Sequence, residues 1–383
     1  MKRIKTFMLA AAAFALTAPL FTACGSDDKD NEKEEKQEVI ENIISEFTVN
    51  DEMVAAQKAK SGKNTAILLV AFGSTWNNAF LAFDKTKAAY EAAFPEADVY
   101  MCFSSDICIN RASAGENKDD NGNIVKRDYY EPRYLLHAIG AAKYGRICVQ
   151  SLQVIPGEEF AAVVASVKKF MNNGYIGTAH LDDAYLAKLA DEEAIFLGMP
   201  LLSDPDEDVP EVARQLNALY ASEAQQGVVA FMGHGNPDNY DTFKANVRYE
   251  QLEEALQVYS PNYYVGTVDM PANYKQDVLF RMQLNGITSG KVQLHALMSI
   301  AGDHAHNDMA GSGEEYWDPT EPDSEENSWY EFFNHNGYTA TVPLSGNHPL
   351  GLLELPGVLN IWINHTKNAE FLEDAYHSMY PEL

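Results

Sequence analysis

Apolar residues in this chain gather in short unbroken runs separated by helix-spaced segments. Ala66 to Phe72 is one such run and ends at Gly73-Ser74; Val228 to Met232 is another and ends at Gly233-His234-Gly235. Continuous apolar runs of this length, bounded by glycine, predict buried parallel strands. A second pair agrees. Ile147 to Glu158 stands beside Val292 to Asp303, with Leu152 matching Leu297, Ile155 matching Ile300, Gly157 matching Gly302 and Glu158 matching Asp303. Helical spacing covers Phe80 to Phe94, Tyr134 to Lys143, Glu159 to Asn172 and Val209 to Glu223 in the first half. In the second half it covers Asp241 to Tyr259, Lys275 to Asn285 and a closing segment near Ala369 to Met379. Strands alternating with helices imply parallel sheets with crossover helices. The same signals in the same order twice imply a duplicated unit. The expected fold class is therefore α/β: two similar domains, each a parallel sheet flanked by helices, with a cleft between them. Phe196 to Leu202 reads as the last strand of the first domain, which places the domains at 61–203 and 204–383. The polar stretches Ala114 to Arg127 and Glu314 to Asn327 read as exposed insertions.

The first residues follow a different pattern. Lys2, Arg3 and Lys5 precede an apolar run from Met8 to Phe21, and Thr22-Ala23-Cys24-Gly25 follows. A short apolar stretch with small residues before a cleavage point is a secretory signal, and it is shorter than the roughly 20 apolar residues a membrane span needs. Residues 1–23 are thus expected to be a signal peptide, and Cys24, directly after small residues, the acceptor of a lipid anchor. The localisation this implies is export, with attachment to the outer membrane on its periplasmic or cell-surface face. Residues 24–60 read as an acidic tether that is too polar to fold, followed by a helix from Val39 with Ile40, Ile43, Ile44 and Phe47 on one face.

Composition narrows the partners. The roughly 320 remaining residues exceed what one core supports. A formal net charge of −28 excludes a nucleic-acid surface and suits a solvated exported protein. The membrane is expected as a partner through the lipid anchor only, and a homo-oligomer stays open. Besides Cys24 there are Cys102, Cys108 and Cys148, without paired metal-finger spacing. Cys102 and Cys108 could form a disulfide or remain free thiols in the interior.

In open parallel sheets ligands bind beyond the carboxyl ends of strands. Three segments of the second half end strands and carry chemistry: Gly233-His234-Gly235, Gly266-Thr267-Val268-Asp269 and Gly302-Asp303-His304. Two imidazoles and a carboxylate converging on one edge are a common donor set for a divalent first-row metal, and three protein ligands leave positions open for a substrate. His234, Asp269 and His304 are the candidate set. Each has a plainer reading as a hydrogen-bonded structural residue. Asp303 fits a helix cap, Asp308 a solvated helix position, His306 a structural role, and His295 the core. Gly233 and Gly235 would let a flat ligand approach the backbone. Phe72, Trp76, Met270 and Met298 could form apolar walls or ordinary core.

Several segments together resemble the anaerobic sirohydrochlorin cobaltochelatase family. They are Ile67 to Ser74, Val149 to Glu159, Phe231 to Gly235, Val265 to Asp269, and Ala301-Gly302-Asp303-His304-Ala305 with Asn307-Asp308-Met309-Ala310. The likeness spans about residues 64 to 380. It implies an ATP-independent chelatase with a tetrapyrrole cleft between two α/β domains and Co²⁺ as its metal, with Ni²⁺, Fe²⁺ or Zn²⁺ as alternatives in vitro. It also implies metal ligation by His234, Asp269 and His304, catalysis by the two histidines, and substrate contacts from Phe72, Gly73, Gln153, Gly233 and Gly235. Three features depart from the family pattern: Asp269 stands where Glu is common, Gln153 where Ser-Leu-His is usual, and His306 is added. Eight substrate carboxylates would need cations, for which Lys244, Arg248 and Arg281 are candidates. The alternative expectation is an exported lipoprotein that binds a haem or corrinoid, or strips metal from it.

Overall fold

A computed structural model describes residues 29–115, 123–175, 179–311, 327–377 and 379–380, with side chains of its first helix from Ser45 onward. The signal segment, Cys24 and much of both polar insertions lie outside the described residues. Among those residues, no helix is long and apolar enough to cross a membrane.

The apolar runs form two sheets. In the first, β1 (Thr65–Ala71), β2 (Ala97–Phe103), β3 (Arg146–Ser151) and β4 (Ile195–Gly198) lie in the order β2-β1-β3-β4. In the second, β5 (Val228–Gly233), β6 (Tyr263–Thr267), β7 (Gly290–Ala296) and β8 (Tyr338–Thr341) lie in the order β6-β5-β7-β8. Both sheets thus place their strands second, first, third, fourth, and every one of these pairings is parallel. The two-domain α/β architecture read from the sequence is the architecture found, and the aligned segments Ile147–Glu158 and Val292–Asp303 open with the equivalent strands β3 and β7.

The side-chain period of two explains why the runs are unbroken. On β1, Ile67, Leu69 and Ala71 face one core and Ala66, Leu68 and Val70 another. Val229 and Phe231 of β5 join the same cluster as Ile67 and Leu69, whereas Val228, Ala230 and Met232 enter a third. Each sheet therefore has a private outer core, and the two inner faces share a single one through helices Asp208–Ala224 and Pro356–Lys367. Strands covered on both faces have no position left for alternating polar residues.

Two stretches depart from the sequence expectation. Helix Lys29–Ser61 runs through the acidic segment expected as a tether, because Glu, Lys and Gln are strong helix formers whether or not they are buried. Its far end docks on the first domain. Phe47 packs among Tyr134, His137 and Tyr175, and Lys58 Nζ donates to the carbonyls of Ala142 and Lys143 at the end of helix Pro132–Ala141. The expected closing helix over 369–379 is a single turn, Leu372–Ala375. Before it, residues 356–371, expected with the second domain, pack on the first sheet. Trp362 is fully buried in the shared core, Thr366 Oγ1 donates to Gln150 Oε1, and β9 (Glu370–Phe371) adds to β4 antiparallel. Cys102 and Cys148 are buried free thiols and Cys108 is a half-buried one.

Candidate functional site

Because β5 lies between β6 and β7, the segments that follow these three strands emerge side by side. His234 leaves β5 with its backbone pinned to the β6 side: its carbonyl accepts from the amides of Val268 and Asp269 at 3.0 and 2.8 Å. The His234 Nδ1–H donates to the Gly235 carbonyl at 2.6 Å, which leaves Nε2 as the open nitrogen. That nitrogen lies 3.7 Å from Asp269 Oδ2. His304 arrives from the β7 side, at the head of a π-helical turn, Ala305–Met309. Such turns often mark functional positions. Its Nδ1–H donates to Asp308 Oδ2 at 2.5 Å, so Nε2 is again the free one. The two imidazole centroids are 4.8 Å apart with their planes at 81°. The structure therefore brings together His234, Asp269 and His304, far apart along the chain. Among the described residues, no three His, Cys, Asp or Glu side chains form a finished metal cage as they stand.

Asp308 is the partner that sequence reasoning passed over as a solvated residue. A carboxylate on one ring nitrogen fixes the tautomer and orientation of a ligating histidine. The Asp308 hydrogen bond raises the pKa of His304 above the ordinary value, against the pull of burial. The signal was visible: Asp308 follows His304 by one helical turn, where side chains meet.

A cavity of about 230 Å³ opens in front of the two histidines and is walled by both domains. From the first domain come Phe72, Gly73 and Gln153; from the second, His234, Gly235, Met298 and His304. Phe72 is 46% exposed at the rim. Gln153 is buried, its side-chain oxygen held by the Ser151 hydroxyl and its Nε2 without a partner. Gly233 does not line the cavity: a Cβ there would meet the Tyr249 ring at 2.4 Å, so this glycine admits Tyr249 rather than a ligand. Gly235 has φ +77°, and a Cβ would strike Met270 N at 2.8 Å. Its first need is the tight β6 turn. Met270 is buried core and not a wall.

Glu159 was read only as the start of a helix, yet it borders the same cavity. Its side chain stays open to solvent through the cleft while protein surrounds it. Burial, and then the neighbouring Glu158, push its carboxyl up to about 7. The expected cations fare differently. Arg248 is tied to the carbonyls of Leu202 and Ser203, and Arg281 to Glu253, Val265 and Asn273. The arginine that borders the cavity is Arg111, from helix Asp106–Ala114.

His306 turns away from the other two histidines. It is buried and lies flat on the Trp76 indole, centroids 3.7 Å apart and planes within 2°. Burial, then the nearby His348, push its pKa down to about 4. His295 sits in the interior on Glu223, as its strand position implied.

Comparison with known proteins adds four similarities. A family model described as cobalt chelatase (CbiK) matches residues 65–370. Sirohydrochlorin cobaltochelatase CbiKC of Nitratidesulfovibrio vulgaris is 27% identical over 299 residues, covering 78% of this chain and 88% of that protein. The sirohydrochlorin cobaltochelatase of Salmonella typhimurium is 27% identical over 310 residues, covering 79% and 96%. Among solved structures, SirB from Bacillus subtilis with Fe³⁺ aligns with a TM-score of 0.43 at 15% identity, covering 82% of this chain and 97% of that one.

Proposed function

The chain belongs to the cobalt chelatase (CbiK) family, and from that premise we propose that it inserts Co²⁺ into sirohydrochlorin, as in anaerobic cobalamin biosynthesis. The observation that carries this reading is the pair of open imidazole nitrogens on His234 and His304, beside Asp269 and facing a cavity between two domains. Neutral imidazole with a carboxylate suits cobalt and its first-row neighbours. In the proposed reaction Co²⁺, a substrate here, is held by His234, Asp269 and His304. Two pyrrole N–H protons must leave as the metal enters. As Co²⁺ passes to the macrocycle, the Nε2 atoms of His234 and His304 that it vacates can accept them, and Glu159, its carboxyl pushed up to about 7, is a third acceptor bordering the cavity.

The cavity is smaller than the roughly 300–1,000 Å³ of pockets that enclose a whole ligand. In the proposed complex an edge of the macrocycle enters between the domains, with Phe72 exposed at the rim to meet the remainder. Absorption spectroscopy of sirohydrochlorin with Co²⁺ tests the proposal. The unaltered protein is expected to accelerate metallation, and His234→Ala and His304→Ala each to lose about 100-fold or more. Full turnover in His304→Ala removes that residue from the mechanism.

The second reading, a lipoprotein that binds a haem or corrinoid or removes its metal, draws on Gln153, a non-titrating amide in the cavity wall. A stable spectrum of bound tetrapyrrole without metallation would favour it. We further propose that Cys24 carries a lipid that holds the body at the outer membrane. Cys24→Ala is then expected to move the protein from the membrane to the soluble fraction.

A further inference from the structure

One flank of the cavity is closed by a contact between the domains that the chemistry above does not use. Trp76 belongs to the first domain, in the segment between β1 and helix Asn77–Ala93. Its indole stacks on His306 of the second domain, and its Nε1–H donates to Asp303 Oδ1 at 3.4 Å. Asn307 Nδ2 donates to the same oxygen at 3.0 Å. Two residues along, Asn78 Nδ2 donates to the Ala301 carbonyl at 3.0 Å. Ser74 lies so near Gly302 that a Cβ there would meet its Oγ at 3.2 Å. First-domain residues 74–78 therefore grip second-domain residues 301–307 along their length, and His304 sits inside the gripped segment. Its ring reaches the cavity while the flanking Asp303 and His306 are held by the other domain.

We propose that Trp76 is a positioning residue: by clamping Asp303 and His306 it sets where His304 stands relative to the first-domain wall. This deepens the chelatase reading and rests on it. Interior packing alone would put the stack within one domain's core. Here it joins two domains directly beside an open imidazole, where a displacement of about 1 Å is enough to cost a reaction up to 100-fold.

The test compares Trp76→Leu, which removes the flat partner, with Trp76→Phe, which keeps a ring but loses the indole N–H. The His306 ring protons, lying under the indole face, are expected to be shifted upfield in the unaltered protein's NMR spectrum and to lose that shift in Trp76→Leu. In the same variant kcat/KM for cobalt insertion is expected to fall about tenfold, with little change in Tm. Trp76→Phe is expected to keep kcat/KM within about threefold. Absence of the upfield shift in the unaltered protein overturns the clamp, as does kcat/KM within about twofold of normal when the stack is lost. Should Trp76→Leu not fold, His306→Leu removes the stack from the other side and is judged by the same kcat/KM criterion. Should the unaltered protein insert no cobalt, the chelatase reading falls separately. Co²⁺ affinity by calorimetry then decides the clamp: a fall in Trp76→Leu supports it and an unchanged value overturns it.

Discussion

His304 is oriented by Asp308, which stands four residues on within the π-helical turn Ala305–Met309. Removing the outer partner of a metal-ligating histidine typically costs 10–100-fold in affinity or activity. Asp308→Ala is accordingly expected to lower Co²⁺ affinity by about that factor, measured by calorimetry on the folded protein. Glu159 gives a pH prediction with a definite sign. A carboxyl raised to about 7 is protonated below that pH and cannot accept a pyrrole proton; above it, the ionised form can. Insertion rates are expected to climb as pH rises through about 7, and Glu159→Gln to flatten that climb. An equally steep profile in the variant assigns the climb to another group. The convergence of His234, Asp269 and His304 on one edge was legible because glycines and strand ends announced it. The surroundings of Glu159 and the Trp76–His306 stack were not, because they depend on neighbours from other segments, which periodicity does not report.

Among elements, the helix Lys29–Ser61 shows how a polar segment is recruited to a fold. Gln57 and Ser61 both donate to the Asp98 carboxylate of β2, as does Tyr144. Burial raises the Asp98 pKa, but the bonds from Tyr144, Gln57 and Ser61, with Lys63, outweigh it and leave it lowered. The sign follows. A depressed carboxyl contributes stability above its unfolded pKa, about 4, and loses it as pH falls through the folded value. Asp98→Asn is expected to cost about 1–3 kcal/mol at neutral pH, with the deficit shrinking in acid. Urea unfolding at several pH values reads it, and a deficit independent of pH rejects the account. The strands were the most readable elements, since burial on both faces forces unbroken apolar runs. The return of residues 356–371 to the first sheet was not readable. Helix Pro356–Lys367 is amphipathic whichever domain receives it, and β9 pairs over only two residues.

For the whole molecule, the consequence of a shared inner core is cooperative unfolding. Trp362 lies in that core among residues of both sheets, and Trp362→Ala is expected to cost about 3–5 kcal/mol. Denaturation followed by circular dichroism and by fluorescence should give coincident single transitions, before and after the substitution. Two separated transitions would show that the domains are held independently. Among the described residues, Arg111 is the arginine that borders the cavity, and Arg111→Ala is expected to weaken binding of the carboxylate-rich substrate proposed above, read by a rise in KM.

The polypeptide leaves the first sheet after β4, builds the second, and comes back to lay helix Pro356–Lys367 and β9 on the layer it left. The second lobe therefore hangs on two strands of chain rather than one. A protease cut in the crossing near Asp204 would produce two fragments that stay one particle, because the later fragment supplies an edge strand and a buried tryptophan to the earlier one. Separately expressed halves divided at that point should reassemble.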